Sequence, residues 1–383
     1  MLSESRLIML PGPTNVPERV MNAMLKPIIN HRGSEFHALY SSIEENLKSV
    51  FQTKNDIFIL TASGTGGVEC AVSNLVNPGD KVIVPVFGVF SERISEKIRR
   101  RMGVPIEIVV PFGYAPRASE IEEVIDREPD VKAIFIVYNE TSTGVTVRDL
   151  PEIGRIAKKR DLLLIVDAVS VLGGDVLPVD EWGIDVCITA SQKCLACPPG
   201  LSILSVSQEA LEKAAATKGR PIYFDFLKLK ESADKKETPF TPAIPLLYAL
   251  DEALKLIKEE GLEKRFERHK RCAEAFYSAF EALGLSIFPK EKLSRSNTVV
   301  AVNVPRGVDE HAVTKIMWEK YNVQIAGGMG KLKGKIFRIG NMGIISKKEV
   351  LATIHAFACA INEAGYAVDL KKGLETVEAV FQG

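Results

Sequence analysis

The amino-acid sequence predicts an α/β fold, in which a mainly parallel sheet lies between helices, with a smaller α+β domain attached. From about residue 57, short apolar runs rich in β-branched residues alternate with amphipathic helical patterns. Continuous apolar strands separated by such helices are typical of a parallel sheet that is covered on both faces. After residue 206 the alternation ends, and long helical patterns precede a few short strands. In sheets of this class, ligands bind at the carboxyl ends of the strands.

Seven strands and four helices between them are predicted for the large domain. The strands are DIFIL (56–60), KVIVPV (81–86), PIEIVV (105–110), KAIFIVY (132–138), LLLIV (162–166), DVCITA (185–190) and LSILSV (201–206). The helices are GGVECAVSNLV (66–76), FSERISEKIRRRM (90–102), ASEIEEVID (118–126) and LPEIGRIAKKR (150–160). We therefore expect a seven-stranded sheet flanked by helices.

The remaining chain predicts an α+β module of some 120 residues. The charged stretch KLKESADKKE (228–237) is interpreted as an exposed crossing segment, and a long helical pattern covers 244–283. Three strands follow in TVVAVNVP (298–305), VQIAGG (323–328) and KIFRIG (335–340), with one helix near 309–320 and a last helix from about Lys347. A chain of 383 residues exceeds the usual size of a single core, which favours two domains.

Composition and charge exclude several classes of function. Lysine plus arginine equal aspartate plus glutamate at 49 each, so no net field attracts nucleic acid or an anionic membrane. The six cysteines are scattered rather than arranged as a disulfide framework, which is typical of a reducing compartment. The first residues lack a basic leader followed by a long apolar stretch. We therefore expect a cytoplasmic location.

The segment TASGTGG (61–67) follows a predicted strand and opens a predicted helix. Small residues let the backbone approach a ligand, and a helix N-terminus binds anions through its free N–H groups. The pattern is not a dinucleotide fingerprint, because Glu69 stands where the third glycine belongs, and no Gly-Lys-Ser/Thr follows. By itself the segment is compatible with a phosphate site or with a tight turn.

Asp167 and Lys193 each follow a predicted apolar strand. A carboxylate at that place is costly unless it meets a cation or hydrogen-bond donors, although a helix cap also explains Asp167. Lysine is almost never fully buried unpaired, and the simplest alternative is a surface lysine whose stem passes the rim of the sheet. Together with an anion site, however, these two residues supply what pyridoxal phosphate requires. A lysine holds its aldehyde as a Schiff base, and a carboxylate keeps its ring nitrogen protonated.

A set of motifs spread over nearly the whole chain resembles the class V aminotransferases of pyridoxal-phosphate fold type I, and within them the alanine–glyoxylate/serine–pyruvate group. The motifs are PGPTNVP (11–17), NHRGSEF (30–36), SGTGGVE (63–69), NETSTGV (139–145), VDAVSVLGG (166–174), SQKCLACPPG (191–200), TPAIPLLYAL (241–250) and GGMG with FRIG (327–340). Their order and extent make the resemblance specific, whereas no single motif would. We expect a large cofactor-binding domain over 17–255 and a small domain formed by 1–16 and 256–383.

The resemblance implies a role for individual residues around the cofactor. Lys193 would be the Schiff-base lysine and Asp167 the partner of the pyridinium nitrogen. Phe90 would stack on the ring, and Thr141 would lie beside it. The phosphate would be held by Ser63, Gly64, Thr65 and Gln192.

Further implied roles concern the substrate and a second subunit. Arg338 would bind the substrate α-carboxylate, assisted by backbone near Gly12, and the planar fork of arginine suits a carboxylate independently of any resemblance. Thr241 would reach the phosphate of the neighbouring subunit's cofactor across a homodimer interface that contains the active sites. Relatives often have tryptophan at Phe90 and histidine at Thr65, and in some members a tyrosine of the partner subunit that touches the phosphate stands at Thr238. These differences imply looser cofactor binding.

Other chemistry is weighed against this interpretation. The pair Cys194-x-x-Cys197 has neither a redox context nor a second ligand pair, so we interpret these cysteines as small residues behind Lys193. His31 and His37 lack a third ligand at metal spacing, and no metal is expected. A cysteine desulfurase needs a nucleophilic cysteine near Arg338, and the segment 323–338 contains none.

The sequence therefore predicts a transaminase that moves the amino group of alanine or serine to glyoxylate or pyruvate by a ping-pong reaction through the Lys193 Schiff base. Other members of the class, which act on phosphoserine, aminophosphonates or ureidoglycine, remain open. A non-catalytic accessory subunit of a redox complex also remains open.

Overall fold

A computed structural model describes residues 6–382 and contains one large sheet, three small sheets and thirteen helices in that range. The strands are β1 (Leu7–Ile8), β2 (Asp56–Thr61), β3 (Lys81–Val86), β4 (Val104–Val109), β5 (Val131–Val137), β6 (Asn139–Glu140), β7 (Val145–Thr146), β8 (Leu163–Asp167), β9 (Val186–Ala190), β10 (Leu201–Val206), β11 (Val299–Asn303), β12 (Val323–Gln324), β13 (Ala326–Gly327) and β14 (Ile336–Gly340). The helices are α1 (Glu18–Ala23), α2 (Ser34–Phe51), α3 (Gly64–Leu75), α4 (Val89–Arg100), α5 (Ala118–Arg127), α6 (Leu150–Lys159), α7 (Gln208–Ala216), α8 (Phe226–Asp234), α9 (Ile244–Glu260), α10 (Leu262–Ala282), α11 (Glu310–Tyr321), α12 (Lys347–Glu363) and α13 (Leu370–Gln382).

The seven predicted strands form the large sheet in the order β2-β10-β9-β8-β5-β3-β4. Only β10 runs antiparallel to its neighbours, β2 and β9, whereas the other pairs are parallel. Six strands therefore end at the same edge of the sheet. The α/β class and the mainly parallel sheet that the sequence predicted are confirmed.

Two predictions for the second half of the chain are wrong. The charged stretch 228–237 is not simply an exposed crossing segment, because most of it belongs to α8, whose Phe226, Leu229 and Ala233 are buried. Its many charges hid an apolar face at helical spacing. The helix that begins at Lys347 is also not the last one, since α13 follows it. The long helical pattern at 244–283 divides at Gly261, whose φ of 82° ends α9.

The buried apolar side chains form two main clusters. The larger cluster surrounds the seven-stranded sheet and contains residues from Val20 to Ile257. The second contains Met9 and residues from Cys272 to Val377 around the antiparallel sheet β11-β14-β13. Strand β1 pairs with β12, which attaches the N-terminal segment to this second cluster. Between residues 6 and 382, no helix is long and apolar enough to cross a bilayer.

Candidate active site

A cleft of about 680 Å³ opens at the edge where the parallel strands end. It is lined by parts of α3 and α4 and by the residues that follow β5, β8 and β9. Eight of the eleven residues expected at the site line this cleft: Ser63, Gly64, Thr65, Phe90, Thr141, Asp167, Gln192 and Lys193. The other three, Gly12, Thr241 and Arg338, are not in its lining.

The N-terminus of α3 forms one wall of the cleft. Ser63 is its N-cap, and its hydroxyl accepts from the Gly66 N–H at 3.4 Å. The N–H groups of Gly64 and Thr65 have no acceptor among residues 6–382. A Cβ atom on Gly64 would lie 2.9 Å from a Val169 methyl carbon, so only glycine allows this close approach to the sheet. Free N–H groups at a helix N-terminus bind a phosphate. Thr65 contributes its backbone N–H group to this site, and that group does not depend on the side chain.

Asp167 is the last residue of β8, and its carboxylate faces the cleft. Its pKa is raised to about 6, mainly by burial; the N–H of Val169, which donates to Oδ1 at 2.9 Å, lowers the pKa, and the nearby Glu140 raises it. The ammonium of Lys193 also lowers this pKa. An ionised carboxylate held with so little hydrogen bonding is suited to a cationic partner.

Lys193 follows β9 and is 9% exposed. Its Nζ donates to the carbonyl oxygen of Pro11, which belongs to the N-terminal segment. Burial lowers the pKa of Lys193 to about 8, the Cys194 thiol opposes this shift, and the positive charge of Arg338 adds to it. A lysine with a pKa of about 8 is uncharged in part at neutral pH, and the uncharged amine can act as a nucleophile and as a base.

The N-terminal segment packs closely over Lys193. A Cβ atom on Gly12 would lie 2.5 Å from Nζ of Lys193, and Gly12 has a φ of 89°. Glycine is therefore required here both by space and by backbone conformation. Gly12 thus lies beside the reactive amine, although it is outside the cleft lining.

Arg338 lies on β14 and is 6% exposed. Its Nε donates to the carbonyl oxygen of Gly327 at 2.8 Å, and Nη1 donates to that of Thr141 at 3.0 Å. Nη2 donates no hydrogen bond to any residue between 6 and 382. Burial lowers the pKa of Arg338 to about 10, and the carboxylates of Glu140 and Glu310 partly oppose that shift. The guanidinium is thus oriented by two carbonyl groups and has a nitrogen left for an anion.

Phe90 occupies the first turn of α4 and lines the cleft. The guanidinium of Arg93 lies over its ring, 5.0 Å from the ring centroid. Gln192 also lines the cleft, and its buried Oε1 has no hydrogen-bond partner within the described chain. Arg93 and Lys97, which line the cleft too, were not predicted, because basic residues on an amphipathic helix resemble an ordinary solvated face.

Sequence reasoning also missed Pro11 and Glu140. Both lie in motifs that were recognised, PGPTNVP and NETSTGV, but their functions are a backbone acceptor and a buried carboxylate that binds a helix N-terminus. A backbone carbonyl leaves no signal in a single sequence. A glutamate that caps a helix fifty residues away leaves none either.

Thr241 is exposed and lies outside the cleft of its own chain. It lines a small depression together with Thr238, Phe240 and Tyr223. The rings of Tyr223 and Phe240 stack with centroids 5.2 Å apart, and both side chains are exposed. Thr241 is therefore open at the surface of the described chain.

The cysteines and histidines form no second centre in the part of the chain that the structure describes. Cys194 and Cys197 are fully buried, and burial raises the pKa of each thiol to about 12. Neither is a thiolate nucleophile at neutral pH. His37 contacts Glu237 at 3.1 Å, and no group of three or more metal-ligating side chains occurs in residues 6–382.

The residues of the cleft fit pyridoxal phosphate. The free N–H groups of Gly64 and Thr65 suit the phosphate, Asp167 suits a protonated ring nitrogen, and Lys193 offers an amine of lowered pKa. Small side chains at Gly64 and Gly67 bring α3 close to the sheet. These features stand within one cleft, as the chemistry of that cofactor requires.

Comparisons with known proteins agree with this geometry. Residues 8–333 match the family model described as aminotransferase class-V. An uncharacterized aminotransferase of Methanocaldococcus jannaschii is 43% identical over 98% of this chain and 97% of its own length. A serine–glyoxylate aminotransferase of Methylorubrum extorquens is 37% identical over 96% of this chain and 94% of its own. The crystal structure of a ureidoglycine–glyoxylate aminotransferase from Bacillus subtilis is 31% identical, with a TM-score of 0.93 and 100% of both chains covered.

A relative that is named as a hydrogenase subunit is as similar in sequence as the serine–glyoxylate aminotransferase. The small subunit of a soluble hydrogenase from Synechococcus is 37% identical over 95% of this chain and 95% of its own. Of the residues expected at the site, only Arg338 lies beyond the range matched by the family model. The similarity therefore extends over the cleft as well as the fold.

We predict that Asp167→Asn stabilises the protein without cofactor at alkaline pH. The pKa of Asp167 rises from 3.8 to about 6 on folding, so its favourable contribution is complete below pH 3.8 and is lost as pH rises through 6. Since one pKa unit is worth about 1.4 kcal/mol, the variant should gain up to about 3 kcal/mol in the free energy of unfolding at pH 8. Denaturant unfolding of both apoproteins at pH 5 and pH 8 measures this.

The gain should be smaller at pH 5, and the same variant should bind pyridoxal phosphate more weakly. Asp126→Asn, at an exposed carboxylate of α5 outside the cleft, is the control and is measured at the same two pH values. Equal stability of Asp167→Asn and wild type at pH 8 would contradict this account of the site.

Proposed function

Because the chain belongs to the class V aminotransferases, which depend on pyridoxal phosphate, we propose that it transfers the amino group of a small L-amino acid, alanine or serine, to a small 2-oxo acid, glyoxylate or pyruvate. The observation that carries the proposal is the meeting of Asp167, Lys193 and the free N-terminus of α3 in one cleft, with the buried Arg338 beside Thr141. Transamination itself follows from the family. The choice of substrates is the proposed part.

In this proposal each residue of the cleft has one task in holding the cofactor. The N–H groups of Gly64 and Thr65, with Ser63 and Gln192, would bind the phosphate. Asp167 would accept a hydrogen bond from the ring nitrogen. Phe90 and Thr141 would contact the ring. When bound, pyridoxal phosphate supplies an electron sink for the substrate's α-carbon.

Lys193 and Arg338 would act on the substrate. The Nη2 group of Arg338 would donate to the α-carboxylate, which fixes the orientation of the α-carbon. The Nζ of Lys193, uncharged in part because of its lowered pKa, would take the α-proton and later return a proton. The carbonyl of Pro11 would hold Nζ in place between these transfers. Two such half-reactions in sequence give ping-pong kinetics.

The crowding around Lys193 supports a small donor. The Gly12 backbone lies so close to Nζ that an added Cβ would come within 2.5 Å of it. Alanine and serine have side chains that fit such a space, and serine–glyoxylate is the reaction named for one relative. The ureidoglycine–glyoxylate aminotransferase that is similar in structure also has glyoxylate in its name. Ureidoglycine is therefore the second candidate for the amino donor.

We also propose a cytoplasmic homodimer in which Thr241 of one subunit reaches the cofactor phosphate of the other. The exposed apolar residues Ile222, Tyr223 and Phe240 near Thr241 support such an interface. Free cysteines, without any disulfide in residues 6–382, support a reducing compartment. The two hydrophobic clusters support a large domain over 17–255 and a small domain formed by 1–16 and 256–383.

We predict that the purified holoprotein has a visible cofactor band that bleaches with L-alanine or L-serine and returns with glyoxylate. Lys193→Ala should abolish turnover and the response while remaining folded, because no other amine lines the cleft as closely to Asp167. Absorbance spectra before and after each addition measure this. Wild-type rates in Lys193→Ala would contradict its role.

The same spectra separate the alternatives. A band that responds to ureidoglycine but not to alanine or serine would favour the second donor. A protein that takes up no cofactor would favour an accessory subunit, as the name of the hydrogenase relative suggests.

We predict that Arg338→Lys raises the KM for the amino acid on the order of 10- to 100-fold. A lysine keeps the charge, but all its donors sit on one nitrogen, so it cannot span the two carbonyl groups and the carboxylate as the planar guanidinium does. A lost charged hydrogen bond is worth about 1.5–3 kcal/mol. Steady-state kinetics measure the effect, with exposed Arg117→Lys as the control. An unchanged KM would mean that Arg338 does not bind the substrate.

We predict that Thr241→Ala weakens pyridoxal phosphate binding severalfold, although Thr241 lies outside the cleft of its own chain. The reason is the loss of one hydroxyl donor to a phosphate across the interface. Thr314→Ala on α11, where the hydroxyl donates only to the His311 carbonyl, is the control. Cofactor titration and the solution mass measure this, and a monomeric holoprotein of full affinity would contradict it.

A further inference from the structure

Glu140 is a fully buried carboxylate whose two oxygens accept five hydrogen bonds. Oε1 accepts from the Phe90 N–H at 3.3 Å and from the N–H and hydroxyl of Ser142 at 3.1 and 2.6 Å. Oε2 accepts from the N–H and hydroxyl of Ser91 at 3.0 and 3.1 Å. Burying a carboxylate is costly unless donors surround it, as they do here. Glu140 does not line the cleft itself.

These contacts cap α4 from a distant part of the chain. The N-cap position of α4 is Gly88, which has no side chain to accept from the helix. Instead the N–H of Val89 donates to the Ser142 hydroxyl at 2.9 Å, and Glu140 binds the next two N–H groups. A Cβ atom on Gly88 would lie 2.3 Å from the carboxyl carbon of Glu140, so glycine is needed to admit the carboxylate. The start of α4 is thus fixed by residues 140–142.

The same short segment also orients the buried arginine. Thr141 lies between Glu140 and Ser142, and its carbonyl oxygen accepts from Nη1 of Arg338 at 3.0 Å. The negative charge of Glu140 acts on Arg338 as well. One side of the segment therefore holds the helix that carries Phe90, and the other side holds the arginine of the site.

We propose that Glu140 is a positioning residue for the reaction, which places Phe90 against the cofactor ring and directs Arg338 toward the substrate carboxylate. This inference rests on the proposed function in that Phe90 and Arg338 contact cofactor and substrate. A side chain that acts only on stability would leave the cofactor's orientation and the binding of the amino acid unchanged. A positioning residue changes both, because small displacements at a reacting site are costly.

The variant Glu140→Gln tests this with little change in size. Its amide has one acceptor oxygen and one NH₂ group, which can only donate. All five groups around Glu140 donate to it, and three of them are backbone N–H groups that cannot accept. At least one N–H then faces a donor, so the first turn of α4 should move and carry Phe90 with it.

Asp185→Asn is a matched control. Asp185 is a largely buried carboxylate that accepts from the Leu164 N–H at 2.8 Å and the Ser207 hydroxyl at 2.9 Å. It precedes β9, at the opposite edge of the sheet from the cleft. The stability of both variants toward denaturant is measured alongside. Only Glu140→Gln should change the position of Phe90 in the cleft.

For Glu140→Gln we expect a roughly tenfold higher dissociation constant for pyridoxal phosphate, an altered visible circular dichroism band of the bound cofactor, and a raised KM for L-alanine. Asp185→Asn should keep wild-type values in all three measurements. If Glu140→Gln also keeps wild-type values and loses only stability, the proposal is overturned.

A double-variant cycle tests the route through Phe90. Phe90→Leu should weaken cofactor binding in the wild-type background and have little further effect in Glu140→Gln, because Phe90 is already displaced there. Additive effects would overturn the proposed route. Cofactor affinity and dichroism need no turnover, so these arms decide the role of Glu140 even if the wild-type protein fails to use alanine or serine.

Discussion

The burial of charged groups at the carboxyl edge of the sheet is the constraint on which the rest of the site depends. Asp167 is held there at the cost of a raised pKa, and Lys193 and Arg338 at the cost of lowered ones. None of the three has a close ion-pair partner in the described chain. Such an arrangement weakens the protein without its ligand and strengthens the binding of a group that carries the complementary charges.

Lys193 and Arg338 are held by contacts with parts of the chain that are distant from them in sequence. The N-terminal segment supplies the carbonyl of Pro11 and the close backbone of Gly12 to Lys193. Strand β14 supplies Arg338, which is directed by the carbonyl of Thr141 from the sheet edge. Each of the two side chains is therefore held by a carbonyl group from a distant part of the chain. A change in either contact would alter the position of the side chain that it holds.

The fold and most of the cleft could be read from the sequence. The β-branched run KVIVPV coincides with β3. Lys193, which follows β9, and Asp167, which ends β8, could be placed because parallel strands end together. The error at α8 has a physical cause. In α8 the charges of 228–237 dominate the composition, although Phe226 and Leu229 make its contacts. Local composition does not reveal which face of a helix is buried.

The sequence by itself determined the α/β class, the positions of the seven strands along the chain, and the identity of the residues that lie where strands end. These follow from local periodicity and from the rule that parallel strands share an edge. Only the tertiary structure decided that Pro11 meets Lys193, that Glu140 caps α4, and that Arg338 has one nitrogen free. The contacts of Lys193 with Pro11, of Glu140 with α4 and of Arg338 with Thr141 join residues more than forty positions apart. Such contacts are set by packing, on which local patterns carry no information.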